Sequence, residues 1–186
     1  MSPRGSATLL ELACDASGFV RRECPRCRRH FKTRPGALDA RVLQRCLSSH
    51  VSFEGEHEGE GALPESCCLY CGHRASAEEW LTEEQRAHVE GLARAWVNHV
   101  RYEQLSHISR TLAQNPRPTF IAVAPAALPG PMPAEPDDMR ALPLLCCGEE
   151  VKALWDWDEP LFCPRCGTRH SGVAARQRVQ LHFIEE

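Results

Sequence analysis

The residues best suited to chemistry in this chain are its cysteines, which number 11 among 186 residues. Two residues between a pair of thiols allow a tight turn in which both sulfurs face the same way, and such a turn supplies half of a tetrahedral metal shell. The sequence therefore predicts metal binding by paired thiols. Three pairs have this Cys-x-x-Cys spacing: Cys24 and Cys27, Cys68 and Cys71, and Cys163 and Cys166.

The pairs resemble the knuckles of the zinc-ribbon superfamily, in which two Cys-x-x-Cys(-Gly) turns on β-hairpins hold one structural zinc ion. The resemblance covers the knuckles and their immediate neighbours. It implies a first Zn²⁺ site whose halves are separated by 40 residues. This separation exceeds the usual ribbon spacing, so an insertion must lie between the halves. The implied ligands are Cys24, Cys27, Cys68 and Cys71.

The second site is less regular in its upstream half, which reads Leu-Leu-Cys-Cys-Gly over residues 144–148. Aligned on the glycine, the first knuckle position falls on Leu144, which cannot bind a metal. We expect Cys146 to supply the missing ligand, with His170 as the alternative and loss of the metal as a third possibility. The resemblance thus implies a second Zn²⁺ site at Cys146, Cys147, Cys163 and Cys166.

Other uses of these thiols are iron binding, nuclease chemistry and incidental burial. Soft tetrahedral sulfur sites admit iron as well as zinc, but an iron site for electron transfer favours an apolar aromatic surround, and the first knuckle is rich in arginine. Some HNH nucleases place a catalytic metal between two zinc-binding pairs, and His50 and His57 lie in that interval. Their pattern also needs an Asn, and none occurs between Cys27 and Cys71.

A closed shell of four thiolates leaves no open position for water, so structural zinc is favoured over catalytic zinc. We therefore expect no catalytic residue and no small-molecule substrate. A lone buried cysteine usually behaves as a small hydrophobic residue. The remaining thiols are assigned to the core, and these are Cys14, Cys46 and Cys67.

The elements that position the knuckles indicate an α+β fold with two small zinc ribbons. We expect the ribbons to contain β-hairpins and to be connected by a long helix and a Pro-rich linker. The predicted units are an N-terminal zinc ribbon with a helical insertion at 1–76, a long helix at 77–115, a Pro-rich linker at 116–143, and a C-terminal ribbon with a terminal strand at 144–186. The linker contains eight of the 14 prolines, which favour an extended conformation.

Two helices are predicted from apolar periodicity. The insertion has apolar residues at helical spacing between residues 35 and 50. The long helix extends from about Glu78 to Gln114, with a capping box at Thr82-x-x-Gln85 near its start. Its apolar residues form two stripes on different faces, so we expect two partners or a break near 102–106. The stripes are Val89, Leu92, Ala93, Trp96, Val97 and Val100, and then Leu105, Ile108 and Leu112.

Charge is distributed unevenly although the net charge is only -3. Seven basic residues and one acid occupy residues 21–34, a concentration that suits phosphate contacts. Neutralisation of thiolate charge is the alternative explanation. The seven residues with possible nucleic-acid contacts are Arg21, Arg22, Arg26, Arg28, Arg29, Lys32 and Arg34.

Acidic segments favour a protein partner. The run 155–159 reads Trp-Asp-Trp-Asp-Glu, and indoles flanked by carboxylates suit a protein groove because tryptophan anchors dominate interfaces. We assign Trp155 and Trp157 as interaction residues, with packing on a zinc turn as the alternative for at least one of them.

The sequence thus predicts a non-catalytic zinc-binding adaptor that joins a larger protein partner or complex. A nucleic-acid-binding accessory protein is the alternative, and a zinc-bearing HNH-like nuclease is the third. We expect a cytoplasmic location, because the N-terminus lacks the uninterrupted apolar segment of a signal peptide and no stretch is apolar enough to span a membrane. Reduced thiols are normal in that compartment.

Overall fold

The structure is a computed structural model that describes residues 11–50, 62–112 and 129–171. His57 of the insertion, residues 116–128 of the predicted linker and residues 172–186, with the predicted terminal strand, lie outside these residues. Within the described residues the fold is α+β, with small antiparallel sheets and two α-helices. This confirms the predicted fold class at that level.

A four-stranded antiparallel sheet contains strands from both ends of the chain. One hairpin consists of β1 (Val20–Glu23) and β2 (His30–Thr33), and the other of β5 (Arg140–Leu144) and β6 (Glu149–Ala153). The order is β1-β2-β6-β5, and the central strands β2 and β6 pair antiparallel through Lys32 with Lys152 and Thr33 with Val151. The two predicted ribbons therefore share one sheet.

Two further hairpins complete the β structure. The first consists of β3 (Glu65–Cys67) and β4 (Arg74–Ser76), and the second of β7 (Leu161–Phe162) and β8 (Arg169–His170). Strands this short bury little on their own. Their position depends on contacts with other elements, which are described with the metal centres.

The inserted helix α1 (Ala37–His50) agrees with the predicted insertion. The long helix differs at its start, because a 3-10 helix (Ala77–Trp80) precedes α2 (Glu83–Leu112). The Thr82 N–H donates to the Gln85 side chain at 2.9 Å and the Gln85 N–H donates to the Thr82 hydroxyl at 3.2 Å. This capping box satisfies free amide groups at the helix start, and so α2 begins after Thr82 instead of at Glu78.

Helix α2 is continuous through residues 102–106. Its first half packs against the body of the protein through Val89, Leu92 and Ala93, which are all buried. Its second half exposes Leu105 and Ile108, which are 45% and 46% accessible. The first predicted stripe is therefore buried only near the start of the helix, since Trp96 in the same stripe is 41% exposed.

The apolar core has two parts. One part lies between the sheet and the small hairpins, where Phe31 contacts Tyr70 and Trp80 edge to face at centroid distances of 6.3 and 5.8 Å. The other lies beneath α1 and α2 and includes Val42 and Val89. The cysteine pairs border the first part.

Buried charges join the two hairpins of the main sheet. Asp15 accepts hydrogen bonds from Lys152 at 2.8 Å and from Lys32 at 3.1 Å, and the side chains of all three are almost completely inaccessible. Lys152 also pairs with Asp137, and Lys32 pairs with Asp138. Because buried charges need partners, this cluster connects β2, β6 and the segment before β5.

Neither α-helix of the described residues combines the length and the apolar character that crossing a membrane requires.

Candidate metal centres

The four pairs of thiols lie in turns of the four hairpins, and we call each such turn a knuckle. Three knuckles have the Cys-x-x-Cys spacing, and we call these regular. In each of them the N–H of the first cysteine donates to the carbonyl of the residue five positions later, at 2.8–3.1 Å. The first cysteine's own carbonyl accepts from the residue after the second cysteine. That residue has a positive φ in all four knuckles: Arg28, Gly72, Gly148 and Gly167.

The first centre brings together Cys24, Cys27, Cys68 and Cys71, whose ligand atoms all lie within 4.8 Å of one another. The Sγ atoms of Cys24 and Cys71 are 3.7 Å apart, and so are those of Cys27 and Cys68. A tetrahedral shell with Zn–S bonds of about 2.3 Å separates its sulfurs by about 3.8 Å. The thiols therefore have a spacing that fits a four-sulfur metal site.

The second centre brings together Cys146, Cys147, Cys163 and Cys166, whose ligand atoms also lie within 4.8 Å of one another. Its knuckles lie on the β5-β6 and β7-β8 hairpins, and the Sγ atoms of Cys146 and Cys166 are 3.5 Å apart. Two four-cysteine clusters could thus hold metal ions, compatible with zinc-ribbon-like sites.

The irregular knuckle follows the register that its glycine predicts. Leu144 pairs with Glu149, as Cys24 in the first knuckle bonds with Arg29, so Leu144 occupies the first ligand position. Leu144 is buried, like the first cysteine of each regular knuckle. The thiol of Cys146 instead comes from two positions later in the turn and is exposed.

His170 lies beside the second cluster but outside it. Its Nε2 is 3.2 Å from the Sγ of Cys146, although it does not belong to the group within 4.8 Å. The structure therefore places Cys146, the expected fourth ligand, among the four thiols, with His170 adjacent.

The pKa values of the thiols differ within each centre. Burial raises the pKa of Cys68, whereas the Arg29 N–H and neighbouring thiols lower that of Cys27 against the effect of burial. In the second centre, hydrogen bonds with Thr168 lower the pKa of Cys166 to about 6. Partial desolvation of the Cys146 sulfur inside the cluster, with hydrogen bonds to Cys163 and Cys166, raises the pKa of Cys146 to about 12. Metal binding would deprotonate all four thiols in each centre.

The two centres are in direct contact through their small hairpins. The Cys67 N–H donates to the Pro164 carbonyl, and the Phe162 N–H donates to the Leu69 carbonyl, both at 2.8 Å. The Phe162 ring also packs on Gly72, where an added Cβ would lie 3.1 Å from the ring. A knuckle of one centre therefore supports a knuckle of the other.

The tryptophans of the 155–159 run have different surroundings. The Trp157 ring contacts the Tyr70 ring, at a centroid distance of 4.6 Å, and the Arg29 guanidinium lies over it at 4.8 Å. The Tyr70 hydroxyl in turn donates to the His30 carbonyl and accepts from the Leu154 N–H. Trp157 therefore packs on the knuckles of the first centre, whereas Trp155 is 67% exposed.

Five of the seven basic residues at 21–34 form ion pairs with acidic side chains of this chain. Arg21 binds Glu135 and Asp138, and Arg34 binds Glu150. Arg29 instead lies over Trp157, and Arg26 is exposed. The other paired residues are Arg22 with Asp39, Arg28 with Glu23, and Lys32 with Asp15 and Asp138.

The three cysteines outside the clusters are partly or fully buried. Cys14 and Cys46 are partly buried and pack at the edge of the core beneath α1. Cys67 is buried, and its backbone amide supports the second centre through Pro164. Nothing in the cysteine spacing signals this role, because it depends on two hairpins that are distant in sequence.

Comparison of the chain with protein-family models, with curated proteins and with solved structures gives no match.

Proposed function

We propose that the chain is a non-catalytic adaptor in which two Zn²⁺ ions hold small hairpins in place for a larger protein partner. The observation that carries this proposal is the pair of four-thiol clusters with tetrahedral sulfur spacing. Thiolate is a preferred zinc ligand, and four thiolates fill the coordination shell. Such a shell supports structure and leaves no position for a substrate or an activated water.

The small hairpins need this support. Strands β7 and β8 have two residues each, and β3 and β4 have three. Elements of this size rarely stabilise themselves without a metal or a disulfide. Zinc binding therefore supplies part of the folding free energy.

Trp155 is the best candidate for an anchor on the partner. Its indole is 67% exposed, and Asp156 and Glu159 beside it are also exposed. A large exposed aromatic side chain surrounded by carboxylates suits a pocket in a protein that carries Lys or Arg at its rim. We therefore propose that the partner has a basic, apolar pocket.

A nucleic-acid-binding role is the second candidate, and the exposed Arg26 and Arg28 on the first knuckle favour it. Phosphate contacts need accessible cations. Arg21, Arg22 and Lys32 are largely buried and paired. Four cations of the segment are exposed, but Arg28 and Arg34 among them pair with Glu23 and Glu150. This distribution favours the protein partner.

Affinity purification with metal analysis tests the proposal. We expect two zinc ions per chain and a stoichiometric protein partner. Trp155→Ala should weaken the complex at least tenfold at unchanged zinc content, whereas Leu105→Ala, which removes an exposed apolar side chain from α2, should not. Nucleic acid in place of a protein, lost as salt is raised and after Arg26→Ala, would support the second candidate. Iron, or no metal, would contradict the zinc centres.

A further inference from the structure

The second centre has an unusual ligand position. In each regular knuckle the first ligand is a buried cysteine, and Leu144 occupies the same place in the irregular one. The thiol that completes the cluster belongs to Cys146, two residues nearer the tip of the turn. This centre therefore obtains its fourth sulfur from the solvent side.

A further donor lies next to that sulfur. The Nε2 of His170 is 3.2 Å from the Sγ of Cys146, a hydrogen-bond distance, and it lies just outside the group of four thiols. Strand β8 holds His170 opposite the buried Leu161 of β7. The imidazole is thus fixed to the same hairpin as Cys163 and Cys166.

We infer that Cys146 is the exchangeable ligand of the second centre and that His170 is a reserve donor able to replace it on the metal. The inference rests on the proposed zinc centres. When Cys146 is lost, a neutral imidazole with its proton on Nδ1 offers the Nε2 lone pair to Zn²⁺, and the shell changes from four thiolates to three thiolates and one imidazole. Both shells are common for structural zinc.

Because the two donors are adjacent, replacement of Cys146 by His170 on the metal changes only the part of the cluster near them. Cys146 and His170 are neighbours, and Cys146 is exposed, as is Cys166, whereas Cys163 is buried. Replacement of Cys146 therefore leaves the buried part of the centre in place. No comparable substitute is expected for Cys163, because its thiol faces the core.

Counting zinc per chain by mass spectrometry in single and double variants tests the inference. Unmodified protein should hold two zinc ions, and Cys146→Ala and His170→Ala should each still hold two. The double variant Cys146→Ala/His170→Ala should hold one. Cys163→Ala is the matched control, and it should also hold one although Cys146 and His170 are both present.

A triple variant distinguishes loss of a ligand from loss of the fold. Adding Leu144→Cys to the double variant supplies a thiol at the regular position and should restore the second zinc ion. With Co²⁺ in place of zinc, Cys146→Ala should weaken the thiolate-to-metal charge-transfer absorption, because one of eight thiolates is lost while the metal content is unchanged.

Three results would overturn the inference. One zinc ion in Cys146→Ala would show that His170 does not replace the thiol. Two zinc ions in the double variant would show that neither residue is needed, and failure of Leu144→Cys to restore the metal would contradict the assigned register. Fewer than two zinc ions in the unmodified protein would instead contradict the proposed function.

Discussion

The two candidate metal centres are built from the same turn but differ in one position of that turn. In the first centre both knuckles are regular, and Cys24 and Cys68 are completely buried. In the second centre one knuckle has Leu144 where a thiol is expected, and its substitute Cys146 is exposed. Cys166, in the regular knuckle of the second centre, is exposed as well, whereas no thiol of the first centre is.

The surroundings of the two centres also differ in how far they are buried. The first centre lies against Tyr70 and Trp157, and the packed aromatic side chains join it to the core. The second centre contacts the first through Phe162 on Gly72, and its open side faces solvent. We therefore expect the first centre to maintain the fold and the second to maintain its own hairpins.

The largest expected effect is the loss of a ligand in the first centre. Cys68→Ser should abolish cooperative unfolding and reduce the zinc content from two ions to none, because the β3-β4 hairpin that supports the second centre loses its anchor. Mass spectrometry and circular dichroism measure the two quantities.

Cys166→Ser is the matched change in the second centre. It should leave one zinc ion and a cooperative unfolding transition. If Cys68→Ser and Cys166→Ser lose the same number of zinc ions, the two centres contribute equally to the fold. That result would contradict the expected difference between them.

The next effect concerns the buried ion cluster that joins the hairpins of the two centres. Asp15→Asn leaves Lys32 and Lys152 buried without their shared carboxylate, and it should reduce the free energy of unfolding by about 3–5 kcal/mol. The matched change Asp137→Asn, at a residue that is 45% exposed, should cost about 1 kcal/mol or less. Urea unfolding at neutral pH compares them.

The same cluster predicts a pH dependence. Although burial opposes its charge, hydrogen bonds from Lys152, the Phe19 N–H and Lys32 hold the pKa of Asp15 well below its usual range. A depressed pKa in the folded state stabilises the protein above the unfolded value of about 3.9, and this contribution is lost as the pH falls further. The stability difference between unmodified protein and Asp15→Asn should therefore be constant from pH 7 to pH 5 and shrink below pH 4.

A smaller effect tests the contact between the centres. Gly72→Ala and Gly148→Ala both place a side chain at positive φ, which costs about 1–2 kcal/mol. At Gly72 the new Cβ also meets the Phe162 ring at 3.1 Å, whereas nothing lies within 4 Å at Gly148. Gly72→Ala should thus be the more destabilising by about 1 kcal/mol or more in urea unfolding. Equal losses would show that the contact between knuckles contributes nothing.

The smallest effect is a gain in stability. Arg28 has a φ of 60° at the position where the other three knuckles have glycine. Arg28→Gly relieves this strain but gives up an ion pair between the exposed Arg28 and the buried Glu23, so we expect at most about 1 kcal/mol of added stability. Arg26→Gly, in the same turn, should not stabilise the protein. Thermal unfolding with both zinc ions bound measures the two changes.

The sequence was sufficient to predict the local features of the centres. Cysteine spacing identified the three regular knuckles, and the glycine after Cys147 identified the register of the fourth. The capping box at Thr82 was also correct, although it marks the start of α2 and not a point inside a longer helix. These features depend on a few adjacent residues, whose conformational preferences are strong.

The non-local features were not predictable in the same way. Pairing of Lys32 with Lys152 joins strands that lie far apart in the chain, and no local pattern specifies it. Partners of the basic segment such as Glu135 come from the predicted linker. The packing of Trp157 on Tyr70 beside the first centre likewise joins residues that are far apart in the chain.

The shared sheet has a consequence for how the gene could be divided. Because β2 and β6 are neighbours, a cut between residues 113 and 128 would separate the strands and leave each fragment with an uncovered sheet edge. Uncovered edges promote pairing with other chains. Fragments expressed separately should therefore aggregate, or recombine with each other when mixed, and they are poor substitutes for the intact polypeptide in studies of isolated ribbons.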